Sequence, residues 1–411
     1  MGEFINSKIG KVYNGWGTFQ LKSVLIKNDA GDWGAEPNDN AIGIIRSTNF
    51  NNDGKLDLSN IAYRTLTPQK LEEKRLSSSD ILIERSGGSD TQPVGRVGYI
   101  TDNMTHNNLA FANFIQRISL DETVDAKFVY YCLQQMYEMG ITASMQFQTT
   151  GIRNLDWKFY LKTNLPKPTK EEQTAIANIL SKVDEAIASV QNSIAAAERL
   201  KKSLMQNLLT GKMKPDGTFR TSEEFYIDEK FGKVPIGWKC EKFKEFAVLQ
   251  RGNDLTDNDV IAGRFPVVKS NGTSIRHNQY FVEPPGVVTG RSGTIGKVFY
   301  IEERFWAHNT TLYVKDFKEN VPKYIYYLIL TMDLNRYYAG TTVPTLNRND
   351  IHKLKVAIPE TSDEQQNIVT LLDNNNNVIN KEREKVVVLK SLKKSLMQNL
   401  LTGKIKIGDR I

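Results

Sequence analysis

The sequence is poor in the residues that metal sites, disulfides and membrane spans require. It holds two cysteines, Cys132 and Cys240, and four histidines among 411 residues. Because the cysteines lie far apart, we expect no disulfide framework, and a reducing cytoplasm is the expected compartment. No two histidines have helical metal-ligand spacing, which argues against zinc. The sequence has no run of about twenty apolar residues, so we expect no membrane span. The first residues, MGEFINSKIGK, lack the apolar core of an export signal.

Motifs that carry catalysis are also missing. TGRSGTIGKV, at 289–298, has the glycines of a phosphate loop but the wrong spacing, and no Ser or Thr follows its lysine. Neither a G-x-G-x-x-G fingerprint nor a G-x-S-x-G nucleophile elbow occurs. Glu72-x-Lys74 matches a fragment of nuclease sites, but it lies in a polar, helix-like stretch. We therefore predict no metal site and no catalytic residue in this chain.

The composition is that of a globular protein with a basic excess. Apolar residues make up 40% and charged residues 25%, and the formal net charge is +7. A chain of this length is expected to form two or more domains. The charge favours a polyanionic partner, with nucleic acid the first candidate, although many cytosolic proteins are mildly basic.

The dominant feature of the sequence is an internal repeat. LKKSLMQNLLTGK occurs at Leu200–Lys212 and again at Leu392–Lys404, an offset of 192 residues (392 − 200). Other matches follow in the same order in both halves, so the chain is two copies of one unit. These pairs are GKVYNGW with GKVPIGW, IIRS with VVKS, RSGG with RSGT, KFVYYCLQQM with KYIYYLILTM, and EEQTAIANIL with DEQQNIVTLL.

The repeat and the helix signals divide each copy into a head and a long helix. Ile81–Glu84 and Gly286–Gly293 are predicted to enter glycine turns as strands, and KFVYYCLQQMYEM is predicted to be a helix. Thr-x-x-Glu capping boxes and C-terminal glycines mark both ends of each long helix. We predict a first head at 1–165, a helix at 166–212, a linker at 213–233, a second head at 234–358, a second helix at 359–404 and a tail at 405–411. The fold class is α+β, with two mixed α/β heads.

Both helices carry apolar residues at heptad spacing, although Asn375 and Glu382 interrupt one row of the second. A sustained heptad requires a partner helix, and we expect the two to pair as an antiparallel coiled coil. The alternative is that each helix packs on its own head. The predicted packing residues are Ile176, Leu180, Val183, Ile187, Val190, Ile194, Leu204, Ile368, Leu372, Ile379, Val386, Leu389 and Leu396.

Each head also carries polar residues on tight turns. Arginine matches the guanine edge in the major groove, and small residues let the backbone approach phosphate. The alternative is that these are ordinary turns with solvated arginines. We predict that residues shared by both copies, such as Arg85 and Arg291, anchor phosphate, and that differing ones, such as Asn271, read bases. The candidate DNA-binding residues are Arg46, Ser47, Asn49, Arg85, Ser86, Gly88, Arg153, Asn154, Lys269, Ser270, Asn271, Arg291, Ser292, Thr294, Asn309, Thr310, Asn347 and Arg348.

The sequence resembles the specificity subunits of Type I restriction–modification systems over nearly its full length. The segments that carry the resemblance are GKVPIGW, GRSGTIGKVFYIEERFWAHNTTLYV, TGIRNLDWKF, PTLNRNDIHKLKVAIP, EEQTAIANILSKVDEAI and LLTGK.

The resemblance implies that each head is a target recognition domain reading half of a split double-stranded DNA site. The helix pair would set the spacing and dock two modification (methyltransferase) subunits, which carry S-adenosylmethionine. Restriction and translocase subunits, with ATP and Mg²⁺, would join the larger complex in a prokaryotic cytoplasm. This chain would hold no cofactor. Two alternatives remain: a coiled-coil adaptor that does not read DNA, and a stand-alone DNA-modifying enzyme.

Overall fold

A computed structural model of the chain describes residues 4–89, 91–106, 108–149, 151–339 and 345–407. The chain divides into two compact units. The first unit comprises Met1–Ser189 together with Lys385–Ile411, and the second comprises Val190–Glu384.

The first unit contains fourteen strands of the described chain and begins the first long helix. Its elements are β1 (Phe4–Ser7), β2 (Gly10–Tyr13), β3 (Thr18–Gln20), β4 (Leu25–Ala30), β5 (Ile42–Ile45), β6 (Ala62–Arg64), α1 (Pro68–Lys74), β7 (Ile81–Glu84), β8 (Ser86–Gly88), β9 (Val97–Tyr99), α2 (Asp102–Thr105), β10 (Ala110–Phe111), β11 (Ile115–Leu120), α3 (Ala126–Glu138), β12 (Gln146–Thr149), β13 (Ile152–Leu155), α4 (Trp157–Leu161), β14 (Asn164–Pro166) and α5 (Lys170–Leu208).

The second unit repeats most of this order. Its elements are β15 (Phe225–Asp228), β16 (Gly232–Pro235), β17 (Trp238–Lys242), α6 (Phe243–Phe246), β18 (Val248–Arg251), β19 (Ala262–Lys269), β20 (Gly272–His277), β21 (Gly286–Gly290), β22 (Val298–Ile301), β23 (Trp306–Ala307), β24 (Thr311–Asp316), α7 (Pro322–Thr331), β25 (Tyr338–Ala339), β26 (Thr345–Leu346), α8 (Arg348–His352), β27 (Lys355–Pro359) and α9 (Ser362–Leu400).

The two heads have the same sheet topology. A four-stranded sheet has the order β4-β11-β7-β9 in the first head and β18-β24-β21-β22 in the second. A three-stranded sheet has the order β10-β5-β6 and, in the second head, β23-β19-β20. In each of these smaller sheets the pair β5–β10 or β19–β23 is parallel and the other pair is antiparallel. The predicted class, two similar mixed α/β domains with a helix pair, is confirmed.

Local sequence explains the elements that position the functional turns. All four residues of β7 and all five of β21 are buried, as expected for strands covered on both faces. Helix α3 packs behind the first sheet. Its N-cap Asp125 accepts a hydrogen bond from the Phe128 N–H, and Phe128, Cys132 and Met136 are buried.

The long helices each contain 39 residues and begin directly after the predicted cap threonines, Thr169 and Thr361. Thr169 and Glu172 exchange both hydrogen bonds of a capping box, at 3.2 and 3.3 Å. At the second helix, Thr361 Oγ1 caps the Glu364 N–H. The Glu364 carboxylate instead accepts from Arg220 at 2.6 Å and from the Trp238 indole at 3.1 Å.

The helices pack together in antiparallel fashion. In the first unit the start of α5 and the end of α9 share one hydrophobic core, with Leu180 and Leu400 buried. In the second unit the end of α5 and the start of α9 do the same, with Leu208 and Leu372 buried. Of the predicted packing residues, Ile176, Leu180, Ile187, Val190, Ile368, Leu372 and Ile379 are buried, and Val183, Ile194, Leu204, Val386, Leu389 and Leu396 are half-buried.

Within the identical thirteen-residue segments, the equivalent residues Lys201 and Lys393 have different neighbours. Lys393 is buried, pairs with Asp184 at 2.8 Å and lies over the Tyr131 ring. Its counterpart Lys201 lies 192 positions earlier, where burial and the nearby Arg383 lower the pKa of the ammonium. Position 376, the counterpart of Asp184, is asparagine. Contacts within the chain therefore do not explain why both of these positions hold a lysine.

The LLTGK ends dock on the repeated tryptophan motifs. Gly211 and Gly403 have φ of 68° and 67°, the left-handed conformation that glycine tolerates best. A Cβ at Gly403 would lie 3.1 Å from the Trp16 ring, and one at Gly211 would lie 3.3 Å from Trp238. The added Cβ would lie still closer to Tyr13 at Gly403 and to Pro235 at Gly211, so each glycine follows its helix where no side chain fits.

The segment from 213 to 233, treated in the sequence as a linker, carries regular structure in its second half. It contains β15 and the start of β16, which form an antiparallel hairpin. Asp228 in this hairpin pairs with Lys355 at 2.6 Å. The helices begin and end four or fewer residues inside their predicted bounds.

Candidate nucleic-acid interface

The arginine–serine turns after β7 and β21 are held by the same backbone pattern. In the first head the N–H groups of Arg85 and Ser86 both donate to the Phe114 carbonyl, at 2.9 and 3.2 Å. The Arg85 carbonyl accepts from the Leu155 N–H at 2.8 Å.

In the second head the N–H groups of Arg291 and Ser292 donate to the Thr310 carbonyl, at 2.8 and 3.1 Å. The Arg291 carbonyl accepts from the Leu346 N–H at 2.8 Å. The two turns are therefore one structural motif built twice, and Thr310 occupies the place of Phe114.

A second predicted turn lies beside each of these motifs. The Ser47 hydroxyl donates to the Ser86 carbonyl at 3.4 Å. A Cβ placed on Gly87 would lie 3.6 Å from Ser47 Oγ, and one placed on Gly293 would lie 3.6 Å from Ser270 Oγ. Segments 46–47 and 269–270 are thus neighbours of the arginine–serine turns in their own heads.

A third segment completes the set in the first head. Strand β8 pairs with β13, with Asn154 opposite Ser86 and Arg153 opposite Gly88. The Ser86 hydroxyl donates to Asn154 Oδ1 at 2.6 Å. In the second head Ser292 forms the corresponding bridge with Thr345. We name Arg46, Ser47, Arg85, Ser86 and Asn154 the first polar patch, and Lys269, Ser270, Arg291, Ser292 and Thr310 the second polar patch.

The positively charged side chains Arg85, Arg291 and Lys269 form no strong ion pairs within the described residues. Arg85 donates to the Gln116 side chain at 3.4 Å and Arg291 to the Asn309 carbonyl at 3.4 Å, and neither forms a salt bridge within the described residues. Lys269 meets Asp257 only at 3.4 Å, and that carboxylate is 90% exposed. Burial and the positive Arg251 lower the pKa of Arg291. An approaching phosphate would offer Arg85 and Arg291 a charged acceptor, stronger than the neutral oxygens they meet at 3.4 Å.

Hydrogen bonds in the second patch hold the Thr310 hydroxyl in place. Thr310 Oγ1 accepts from the Ser270 N–H at 3.3 Å and lies 2.9 Å from His308 Nδ1. The Asn309 amide donates to Asp254. Burial lowers the pKa of His308, so at neutral pH its imidazole is uncharged.

Two of the candidate residues are occupied in supporting the backbone. Asn49 is 2% exposed, donates to the carbonyls of Asp57 and Asn60, and accepts from the Arg46 N–H at 3.0 Å. Asn347 is the N-cap of α8 and accepts from the Asn349 N–H. We therefore leave both out of the proposed contact surface.

The remaining candidates differ in position. Asn271 is exposed at the tip of the β19–β20 hairpin, where Lys269 pairs with Gly272, and Arg348 is exposed in the first turn of α8. The Thr294 carbonyl closely approaches Gly290, and a Cβ on that glycine would clash with it. Thr150 and residues 341–344, which precede the candidates Arg153, Asn154, Asn347 and Arg348, lie outside the described residues.

Sequence reasoning missed a buried clamp in the first head. Arg96 binds the Glu84 carboxylate through two nitrogens, at 2.6 and 2.8 Å, and donates to the carbonyls of Phe50 and Ser47 at 2.5 and 3.0 Å. Burial opposes the charge, but Glu84 more than offsets this and the pKa of Arg96 is raised. The clamp ties the Ser47 segment of the first patch to β7.

A signal for this clamp was present in the repeat. The second copy has Gly290 where the first has Glu84, and Lys297 where the first has Arg96. The acid is thus missing from the second copy, where a lysine takes the place of the arginine, as expected if Glu84 and Arg96 act as a pair. The Lys297 carbonyl accepts from the Gly290 N–H at 3.2 Å, so the backbone arrangement survives without the clamp.

Comparison with known proteins decides the family. A family model described as "Type I restriction modification DNA specificity domain" matches residues 13–199 and, a second time, residues 235–389. The chain belongs to this family. The two matches contain the first and second polar patches respectively, so each copy of the repeat is one specificity domain.

Two similar proteins are specificity subunits from an archaeon. The type I restriction enzyme MjaVIII specificity subunit of Methanocaldococcus jannaschii is 26% identical over 294 residues, 64% of this chain and 67% of the relative. The MjaIX specificity subunit of the same organism is 21% identical over 386 residues, 86% of each chain. The crystal structure of a Type I restriction–modification S subunit from M. genitalium has a TM-score of 0.58 at 14% identity, covering 96% of this chain and 99% of that one. At that identity the likeness shows the fold alone.

Membrane-spanning helices and clusters of metal ligands are both absent from the described residues. None of the helices in this part of the chain is long and apolar enough to cross a membrane. Nor do the described side chains include a group of three or more His, Cys, Asp or Glu residues that could hold a metal ion.

Proposed function

We propose that this chain is the non-catalytic DNA-recognition subunit of a Type I restriction–modification complex, and that each head reads one half of a split double-stranded site. The observation that carries this proposal is the pair of polar patches. One backbone motif, with its arginine, serine and glycine, is built twice and surrounded by different residues each time. A shared scaffold with different neighbours suits two readers that recognise different sequences.

Within each patch the residues have different tasks. Arg85 and Arg291 occupy equivalent sites and anchor phosphate, which positions a head without reading sequence. Asn271 is exposed and differs from its counterpart in the first copy, so it contacts bases in the second half-site.

The helix pair has two tasks in this proposal. It fixes the distance between half-sites, and it docks two methyltransferase subunits. Support comes from the thirteen-residue repeat, in which Lys202, Ser203 and Gln206 are exposed, as are the identical residues of the second copy. Two matching surfaces suit two copies of one partner. Those partners supply S-adenosylmethionine and the methyl transfer, and restriction subunits supply ATP- and Mg²⁺-dependent steps in the cytoplasm.

The test is to express the chain with a Type I methyltransferase subunit and to map methylated bases in the cellular DNA. The expected result is a split motif with a fixed gap. The Asn271→Ala chain should change one half of that motif and leave the other half intact. A continuous motif would overturn the two-reader proposal, and methylation without sequence preference would overturn DNA recognition by this chain.

Two controls address the alternatives. The purified chain alone should transfer no methyl group from S-adenosylmethionine, whereas a stand-alone enzyme would. The complex should bind duplex DNA with an affinity that falls steeply as salt rises, because phosphate contacts release counterions. An adaptor that does not contact DNA would show no such dependence.

A further inference from the structure

Phe114 is a large apolar side chain beside the first polar patch. Its ring is 43% exposed, while its carbonyl holds the N–H groups of Arg85 and Ser86. None of the hydrophobic clusters of the described residues contains it. Packing in a core therefore does not account for a phenylalanine at this position.

The ring borders a gap in front of Gly87. This glycine is exposed and has φ of 107°. A Cβ placed there would lie 3.9 Å from Phe114 Cδ2 and 3.6 Å from Ser47 Oγ. The glycine thus leaves a space that has an aromatic ring on one side and a hydroxyl on the other.

Other apolar side chains lie exposed on the hairpin that joins the patch. Phe147 is 51% exposed and pairs across β12–β13 with Asn154, and Ile152 is 42% exposed. The first patch therefore combines arginines with an apolar border.

The second head lacks the ring at the matching position. Thr310 stands there, and its hydroxyl already accepts from the Ser270 N–H and contacts His308. The space in front of Gly293 meets Ser270 Oγ at 3.6 Å with no ring beside it. The two heads thus share arginine, serine and glycine and differ at position 114/310 in one property, an exposed apolar surface.

One group on a base edge matches this difference. In the major groove the thymine C5-methyl is the apolar feature of the base edges, and arginine donors match guanine beside it. We propose that Phe114 is a specificity-determining residue of the first head and that its ring packs on a thymine methyl of that head's half-site. This inference rests on the proposed function, since it requires DNA in the first patch.

The experiment uses the complex of this chain with its methyltransferase subunit and a duplex bearing the mapped split site. Each thymine of both half-sites is replaced singly by deoxyuridine, which removes the methyl and keeps the pairing. At one thymine of one half-site the affinity should fall about fourfold, the value expected for one buried methyl group. With Phe114→Ala, affinity should fall on the thymine duplex and no longer differ between thymine and deoxyuridine at that position.

Matched variants separate this reading from structural damage. Thr310→Ala, at the equivalent position of the second head, should leave the fourfold ratio unchanged. Phe114→Leu keeps an apolar surface and should retain a preference for thymine over deoxyuridine.

Any of three results would overturn the inference. The first is that deoxyuridine has no effect on affinity at any position, and the second is that the loss of affinity with deoxyuridine persists in Phe114→Ala. A third result, equal loss on all duplexes with Phe114→Ala, would show a wedge between bases and would also overturn it. In all three cases specific binding to the split site survives, whereas failure of the proposed function would abolish that binding.

Discussion

Removing Arg96 should be among the most damaging single changes in the first head. The Arg96→Ala chain would leave the Glu84 carboxylate, which is 1% exposed, without a counter-charge. It would also remove the donors that satisfy the Phe50 and Ser47 carbonyls. Breaking one side of a buried ion pair costs about 3–5 kcal/mol, a large share of the ~5–15 kcal/mol that stabilises a typical domain.

The assay is urea unfolding of the Arg96→Ala chain beside an exposed-pair control. Arg304 and Glu283 meet at 2.9 Å with side chains 48% and 60% exposed, so Arg304→Ala should cost less than about 1 kcal/mol. The double change Glu84→Gln with Arg96→Met removes both charges together and should cost less than Arg96→Ala alone. A loss below about 1 kcal/mol for Arg96→Ala would refute the reasoning, because it would mean that the pair is hydrated or dispensable.

Four other changes have defined outcomes. Arg291→Ala should weaken binding to all DNA sequences and reduce the slope of log affinity against log salt by about 1, whereas Asn271→Ala should alter base preference; the reverse pattern in a binding assay would contradict these roles. Asn375→Val, which copies Val183 of the first helix, removes a buried amide oxygen that has no hydrogen-bond partner and should raise the free energy of unfolding by about 1 kcal/mol; a lower melting temperature would refute this. His352 accepts the Leu249 N–H at 2.9 Å and burial lowers the pKa of its imidazole. The folded state therefore resists protonation, and stability should fall as the pH drops below about 6.5; His352→Gln should lessen that fall, and identical pH profiles would contradict it.

The elements were largely predictable because local patterns determine them. The strand Ile81–Glu84 was predicted at its observed bounds from its apolar residues and the glycines that follow. The long helices were located by their threonine caps and terminal glycines, Gly211 and Gly403. The internal repeat then predicted that the second head would copy the topology of the first.

The composition of the patches was not predictable in full, because it depends on contacts between distant residues. Sequence spacing gives no reason for Ser47 to meet Ser86, or for Ser86 to meet Asn154. Asn49 shows the opposite case, since a polar residue suited to DNA is buried as a backbone support. The position of Phe114 beside Gly87 likewise depends on the fold, whereas the pairing of Glu84 with Arg96 left a trace in the repeat.

The sharing of the long helices between the units has a consequence for the order in which the protein is completed during synthesis. The second unit is one continuous stretch, Val190–Glu384, whereas the first unit also needs Lys385–Ile411. Met397, Leu400 and Leu401 belong to the same core as Ile9 and Val12. As the chain leaves the ribosome, the later unit is therefore the first to have all its residues. The core of the first unit is complete only after Met397, Leu400 and Leu401 have been synthesised.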